Sequence, residues 1–166
     1  LNTLTGEYAA YADDKLFATL DPTSRRVRLP EGSSAVITDT VGFIQRLPTT
    51  LVAAFRATLE EVTLADCLAI VSDATATNRE NRERTVRLIL EELGAQHIPH
   101  LRLINKVDLL EEHERREIAR ENPDAVLVSA ETGVGLRAAL ERLEQALSHR
   151  WILRESAGCA LDDEKA

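Results

Sequence analysis

Methionine is missing altogether from this chain of 166 residues, and cysteine occurs only twice. A chain that opens on Leu1 and holds no Met reads as an excerpt of a longer polypeptide. Cys67 and Cys159 lie far apart, with no CxxC, no Cys/His cluster and no disulfide spacing, so neither zinc nor disulfides organise the fold. A reducing, cytoplasmic setting fits that usage best. His97, His100, His113 and His149 share no metal-ligand spacing. Basic residues are in deficit: 20 Lys and Arg stand against 28 Asp and Glu, a net charge of −8. That balance argues against DNA as a partner and against sequence-independent nucleic-acid binding, which works by neutralising phosphates. Arg25, Arg26 and Arg28 still form a small basic face. Every apolar run falls short of the roughly 20 residues that cross a bilayer. No signal peptide is visible in these 166 residues, and they show no internal repeat or low-complexity tract.

What remains is ample for a folded domain: 44% of residues are hydrophobic and 29% charged. Short β-rich apolar runs alternate with helix-period runs, the pattern of an α/β domain. Ser24 to Leu29 alternates, with Val27 and Leu29 on one side and Arg26 and Arg28 on the other, which predicts a strand with one wet face. Pro30-Glu31-Gly32-Ser33 reads as a turn and Ala35 to Thr38 as a second strand, so a hairpin is expected. Leu51, Ala54, Phe55, Thr58, Leu59 and Val62 recur at helical spacing after Pro48, with Thr49 or Thr50 as cap. Cys67 to Val71 is continuously apolar, as in a strand covered on both faces. Arg79 to Leu93 predicts a helix with Val86, Ile89, Leu90 and Leu93 inward, surface pairs such as Glu83/Arg87, and Gly94 as its stop. Leu101 to Ile104 is the next strand, with Arg102 out of place in it. A charged helix over Glu111 to Arg120, a strand over Ala125 to Val128 and a final helix striped by Leu136, Leu140, Leu143 and Leu147 complete the chain. Beyond Arg154 no period remains, and a polar, frayed tail is expected.

Ligands of open α/β sheets bind beyond the carboxyl ends of the strands, so the residues there carry the chemistry. The second strand ends in Asp39-Thr40-Val41-Gly42. A carboxylate there can hold magnesium through water, and a glycine lets a backbone N–H approach a terminal phosphate. The strand at Leu101 ends in Asn105-Lys106-Val107-Asp108. Asp108 can accept two bonds from guanine, from N1–H and from the exocyclic amine. Adenine lacks that donor pair and would leave the acid unpaired. Lys106 can lay its aliphatic stem on the base plane, and Asn105 can tie loops together. The strand at Ala125 ends in Ser129-Ala130-Glu131-Thr132-Gly133, where the Ala130 N–H can reach the guanine carbonyl. Upstream, Phe17 to Asp21 fits no period and reads as a loop. Its Thr19 can bring an oxygen to magnesium and its N–H to the last phosphate, which makes a switch ordered by that phosphate. Each motif has a bland counterpart, a turn-forming aspartate or a solvated loop. Their order along one α/β chain is the stronger signal.

Here the sequence resembles the HflX-type GTPases, a branch of the P-loop GTP-binding proteins. The resemblance rests on FATLDPTSR (Phe17 to Arg25), DTVGFIQRLP (Asp39 to Pro48), LVAAFRATLEE (Leu51 to Glu61), NKVD and SAETGVGL. It covers Leu1 to Trp151 and implies a G domain over 1–151 followed by a polar tail over 152–166. The fold it implies is a mostly parallel sheet with helices on both faces. It implies GTP hydrolysis with Mg2+ and binding of the large ribosomal subunit, in a family linked to rescuing stalled ribosomes. By the same resemblance, GTP is held by Phe17, Ala18, Thr19, Leu20, Asp21, Asp39, Thr40, Val41, Gly42, Asn105, Lys106, Val107, Asp108, Ser129, Ala130 and Glu131. Thr19 and Asp39 would be the magnesium ligands. The family's GxxxxGKS/T phosphate loop precedes a stretch like LNTLTG, which here is Leu1 to Gly6. First strand and phosphate loop are therefore expected to be absent, and turnover by this chain alone to be slight. Phe43 stands where several GTPases orient water with glutamine, and a phenyl ring cannot do so.

Two other readings compete. A degenerate, non-catalytic G domain serving as a ribosome- or protein-binding module would keep the fold without turnover. Gly133-Val134-Gly135-Leu136-Arg137-Ala138 fits the GxGxxA of a dinucleotide site, but that site needs a further strand with an acidic end about 20 residues on. Asp73, ending its strand in SDA, has no chemistry assigned.

Overall fold

The computed structural model describes residues 23–39 and 62–159, the side chains of residues 23 and 149–159 excepted. The helix predicted from Leu51 lies outside them, apart from helical residues 62–64. β1 (Thr23–Arg28) and β2 (Ser34–Asp39) form the expected antiparallel hairpin, with Thr23 opposite Asp39 and Arg28 opposite Ser34. Alternation decides its faces: Val27 and Leu29 are buried while Arg26 and Arg28 are exposed. Gly32 takes φ +101 at the turn, which a side chain would resist.

β3 (Leu68–Asp73), β4 (His100–Asn105) and β5 (Val126–Leu127) form a parallel sheet in the order β3-β4-β5. α1 (Arg79–Glu92) crosses from β3 to β4 and ends in a Schellman motif. Gly94, at φ +69, donates its N–H to Glu91 O at 3.0 Å, and Ala95 donates to Leu90 O at 2.8 Å. The same two residues, Ala95 and Leu90, pack with Val62, Ile70 and Ile98 in one apolar cluster. A turn at Val107–Leu109 leads to α2 (Glu112–Glu121). Its capping box joins Glu111 N–H to the Glu114 carboxylate at 2.8 Å. Ile118 of α2 packs with Ile104, Ala74 and Val107 in a second cluster. Ile70 and Ile104 lie on the same face by register and period, so α1 and α2 cover that face side by side.

α3 (Leu136–Cys159) packs against β4. It runs five residues beyond Arg154, where the sequence pattern predicts fraying. Three further expectations need correction. β3 is not covered on both faces, since Val71 is 61% exposed. Cys67 is half-buried rather than core. Glu83 is not a surface residue: it is 4% exposed and pairs with the half-buried Arg102.

Candidate guanine-nucleotide site

Parallel pairing brings the carboxyl ends of β3, β4 and β5 to one edge, and backbone bonds stitch their loops together. Ala74 N–H donates to Asn105 O at 2.8 Å. Val128 N–H donates to Ile104 O at 2.8 Å, and Val107 N–H to Val128 O at 3.3 Å. The side chain of Asn105 adds the decisive tie, its Oδ1 accepting the Ala130 N–H at 2.9 Å. The NKVD and SAETG loops are thus one unit.

The turn after β5 is closed on itself. Ser129 is fully buried. Its N–H donates to Val134 O and its carbonyl accepts from Gly133 N–H, both at 2.9 Å. Its Oγ accepts the Thr132 N–H at 3.0 Å. Gly135, at φ +74, lies against β5 so tightly that a Cβ there would sit 2.0 Å from Leu127 O. The glycines of GVGLRA therefore shape this turn and the start of α3. Among the described residues no strand follows α3, so the dinucleotide reading lacks its second half.

Lys106 is the one described non-glycine residue with positive φ, at 69°. That conformation costs an ordinary side chain about 1–2 kcal/mol. Its Nζ meets Asp73 Oδ2 at 2.9 Å. Asp73 Oδ1 accepts the Thr75 N–H at 2.9 Å and the Thr75 hydroxyl at 2.7 Å. Burial pushes the Asp73 carboxyl up, but the hydrogen bonds from Lys106 and Thr75 outweigh it and hold the group below the ordinary carboxylate range. The sequence pattern leaves Asp73 without a role beyond that of a strand-ending acid; the parallel register sets it directly opposite Asn105. Asp108 is half-buried in the Val107–Leu109 turn. Among the described residues its carboxylate has no hydrogen-bond or ion-pair partner.

Of the residues expected on the phosphate side only Asp39 is described: it ends β2 and is exposed. Phe17, Ala18, Thr19, Leu20, Asp21, Thr40, Val41, Gly42 and Phe43 lie outside the described residues.

This architecture, with the NKVD and SAETG loops together at the carboxyl edge of a parallel sheet, is an α/β fold of the P-loop GTPase type. Two solved structures share it. A GTP-binding protein from Sulfolobus solfataricus in complex with GDP superposes with TM-score 0.69 at 23% identity, over 89% of this chain and 47% of that one. Era, in complex with MgGDPNP and a segment of 16S ribosomal RNA, superposes with TM-score 0.71 at 19% identity, over 87% of this chain and 50% of that one. The family model described as 50S ribosome-binding GTPase matches residues 1–106, and the chain belongs to that family. It is 45% identical over 147 residues to the GTPase HflX of Caldanaerobacter subterraneus subsp. tengcongensis, covering 89% of this chain. The chain spans about a third of the length of the curated HflX relatives it matches. No described helix is long and apolar enough to cross a membrane.

Proposed function

We propose that this chain is the guanine-nucleotide-binding part of an HflX-type GTPase that works on the large ribosomal subunit in the cytoplasm, with Mg2+ and GTP. The observation that carries the reading is the single unit made by the β4 and β5 loops, closed by the Asn105–Ala130 bond, with Asp108 uncommitted three residues on. Asp108 takes the guanine N1–H and exocyclic amine. Lys106 lays its stem on the ring face, while Ser129, Ala130 and Glu131 frame the carbonyl side. The Ala130 N–H now serves Asn105, so the guanine carbonyl must share that donor or replace Asn105 on it.

The phosphates fall to Phe17, Ala18, Thr19, Leu20 and Asp21 and to Asp39, Thr40, Val41 and Gly42. Thr19 and Asp39 offer the hard oxygen donors that magnesium prefers, and the exposed Asp39 at its strand end leaves room for a hydrated ion. When bound there, the ion neutralises charge on the phosphate oxygens. Hydrolysis joins a water oxygen to the γ-phosphorus and breaks the β–γ bridge, releasing GDP and phosphate. Phe43 supplies no base for that water, so backbone groups or the ribosome must place it. The 166 residues contain no GxxxxGKS/T string. The reading therefore gives this chain by itself base selection rather than turnover.

Asp108→Asn tests it. Asparagine accepts from N1–H but turns a donor toward position 2, where guanine also donates and xanthine has an oxygen. GDP affinity is expected to fall by about a hundredfold or more while XDP gains, measured by calorimetric titration. A GDP affinity indifferent to both Asp108→Asn and Asp108→Ala overturns the reading. No guanine affinity in any variant leaves the binding-module alternative in its place.

A further inference from the structure

Asp73 has no part in the reading above, yet the fold sets it against one of that reading's residues. β3 and β4 pair with Asp73 directly opposite Asn105, and the following amide, Ala74 N–H, is bonded to the Asn105 carbonyl. The two loops therefore leave the sheet together. The Asp73 carboxylate is divided between them. One oxygen is fixed by the backbone and hydroxyl of Thr75, and the other faces Lys106 Nζ at 2.9 Å. Lys106 in turn is held in the left-handed backbone region, which fixes where its side chain starts. Both ends of a flexible four-carbon stem are thus anchored.

We propose that Asp73 is a positioning residue for purine binding: it pins the Lys106 ammonium so that the aliphatic stem is pre-set as a flat apolar surface for the face of the base. The inference rests on the guanine-nucleotide reading of this site. Its physical content is pre-organisation, because a lysine stem ordered before the base arrives need not be ordered by the binding step. A ring face carries no pattern of donors, so the stem senses a purine without telling guanine from adenine. Asp108 reads the edge. Asp73 consequently sets how tightly a purine is held, and not which one.

Calorimetric titration of the 166-residue chain with GDP and with ADP separates these roles. Asp73→Asn keeps an oxygen for Thr75 and removes the charge that faces Lys106. It is expected to weaken GDP and ADP by the same factor, about twofold to fivefold, as befits a half-exposed ion pair. The preference for GDP over ADP stays unchanged, and the thermal midpoint reports whether the fold is intact. The weakening should shrink at high salt. In a Lys106→Gln background Asp73→Asn should do nothing further, because its effect passes through Lys106. An unchanged or tighter GDP affinity in Asp73→Asn overturns the inference alone, as does a loss that persists in the Lys106→Gln background. Equal affinities for GDP and ADP in the parent chain overturn the guanine reading and this inference with it.

Discussion

Gly135 shows how narrowly a single position can be constrained. It combines φ +74 with a backbone carbonyl, Leu127 O, where a Cβ would have to go. Neither obstacle yields to a rotamer change, since one is the residue's own backbone and the other is the end of β5. Gly133 also has positive φ, +81, but opens on free space, so substitution there meets conformational strain alone. Gly135→Ala is therefore expected to cost about 2–4 kcal/mol and Gly133→Ala about 1 kcal/mol, read from urea unfolding midpoints. Equal costs would mean that the approach to Leu127 relaxes freely. The sequence marks both glycines within GVGL but does not rank them. The ranking depends on how close the start of α3 comes to β5, a distance between elements that local patterning does not encode.

At the scale of elements, most of the fold is legible from periodicity, and the exceptions are polar. The strand at β4 carries Arg102 in the middle of an otherwise apolar run. Glu83 in α1 has the spacing of an ordinary surface pair with Arg87, and that pair does form, at 3.7 Å. What the spacing hides is that α1 lays Glu83 on the sheet face where Arg102 emerges. Arg102 then reaches Glu83 Oε2 at 2.8 Å, Asp124 at 2.9 Å and Asn122 Oδ1 at 2.8 Å, while Ser72 Oγ donates to Glu83 at 2.8 Å. Burial disfavours the Arg102 charge, but the bonds it donates to Asp124 and Glu83 more than offset it and raise its pKa. Asp124 is held below its ordinary value chiefly by its bond from Arg102. A half-buried charge stripped of one of its two carboxylate partners is costly, although Asp124 and Asn122 remain for Arg102. Glu83→Ala should lower stability by about 2–3 kcal/mol in urea unfolding, with the slope unchanged. A loss under about 0.5 kcal/mol would return Glu83 to the solvated face that its spacing suggests. The candidate site follows the same division. Asn105, Lys106, Asp108, Ser129 and Ala130 are legible because their order along the chain is diagnostic. Asp73 is not, because only the parallel register of β3 and β4 places it beside them.

At the scale of the whole molecule, the described residues hold two sheets with no ladder between them, the β1-β2 hairpin and the parallel β3-β4-β5 sheet. The hairpin carries Asp39, proposed for the phosphate side, and the parallel sheet carries the loops proposed to select the base. Their relative placement therefore matters, and among the described residues a side chain of α3 bonds the hairpin turn to that helix. Glu144 of α3 is 5% exposed, accepts the Glu31 N–H at 2.9 Å and also accepts the Ser33 hydroxyl. The hairpin turn is otherwise closed by its own bonds, Leu29 N–H to Ser33 O at 2.8 Å and Gly32 N–H to Leu29 O at 3.0 Å. Glu144→Ala removes both acceptors and leaves two donors in a partly buried place. The turn can answer by lifting off α3 without disturbing the parallel sheet, whose own ladder and apolar clusters remain. Local opening of this kind appears in amide exchange. Exchange over residues 29–39 is expected to quicken by about tenfold or more in Glu144→Ala, with β3, β4 and β5 unaltered. Glu144→Gln, which keeps one acceptor oxygen, should fall between. If exchange instead rises equally in both sheets, Glu144 stabilises the fold globally and the hairpin is held by something else. If it rises in neither, the two bonds contribute nothing that water does not replace.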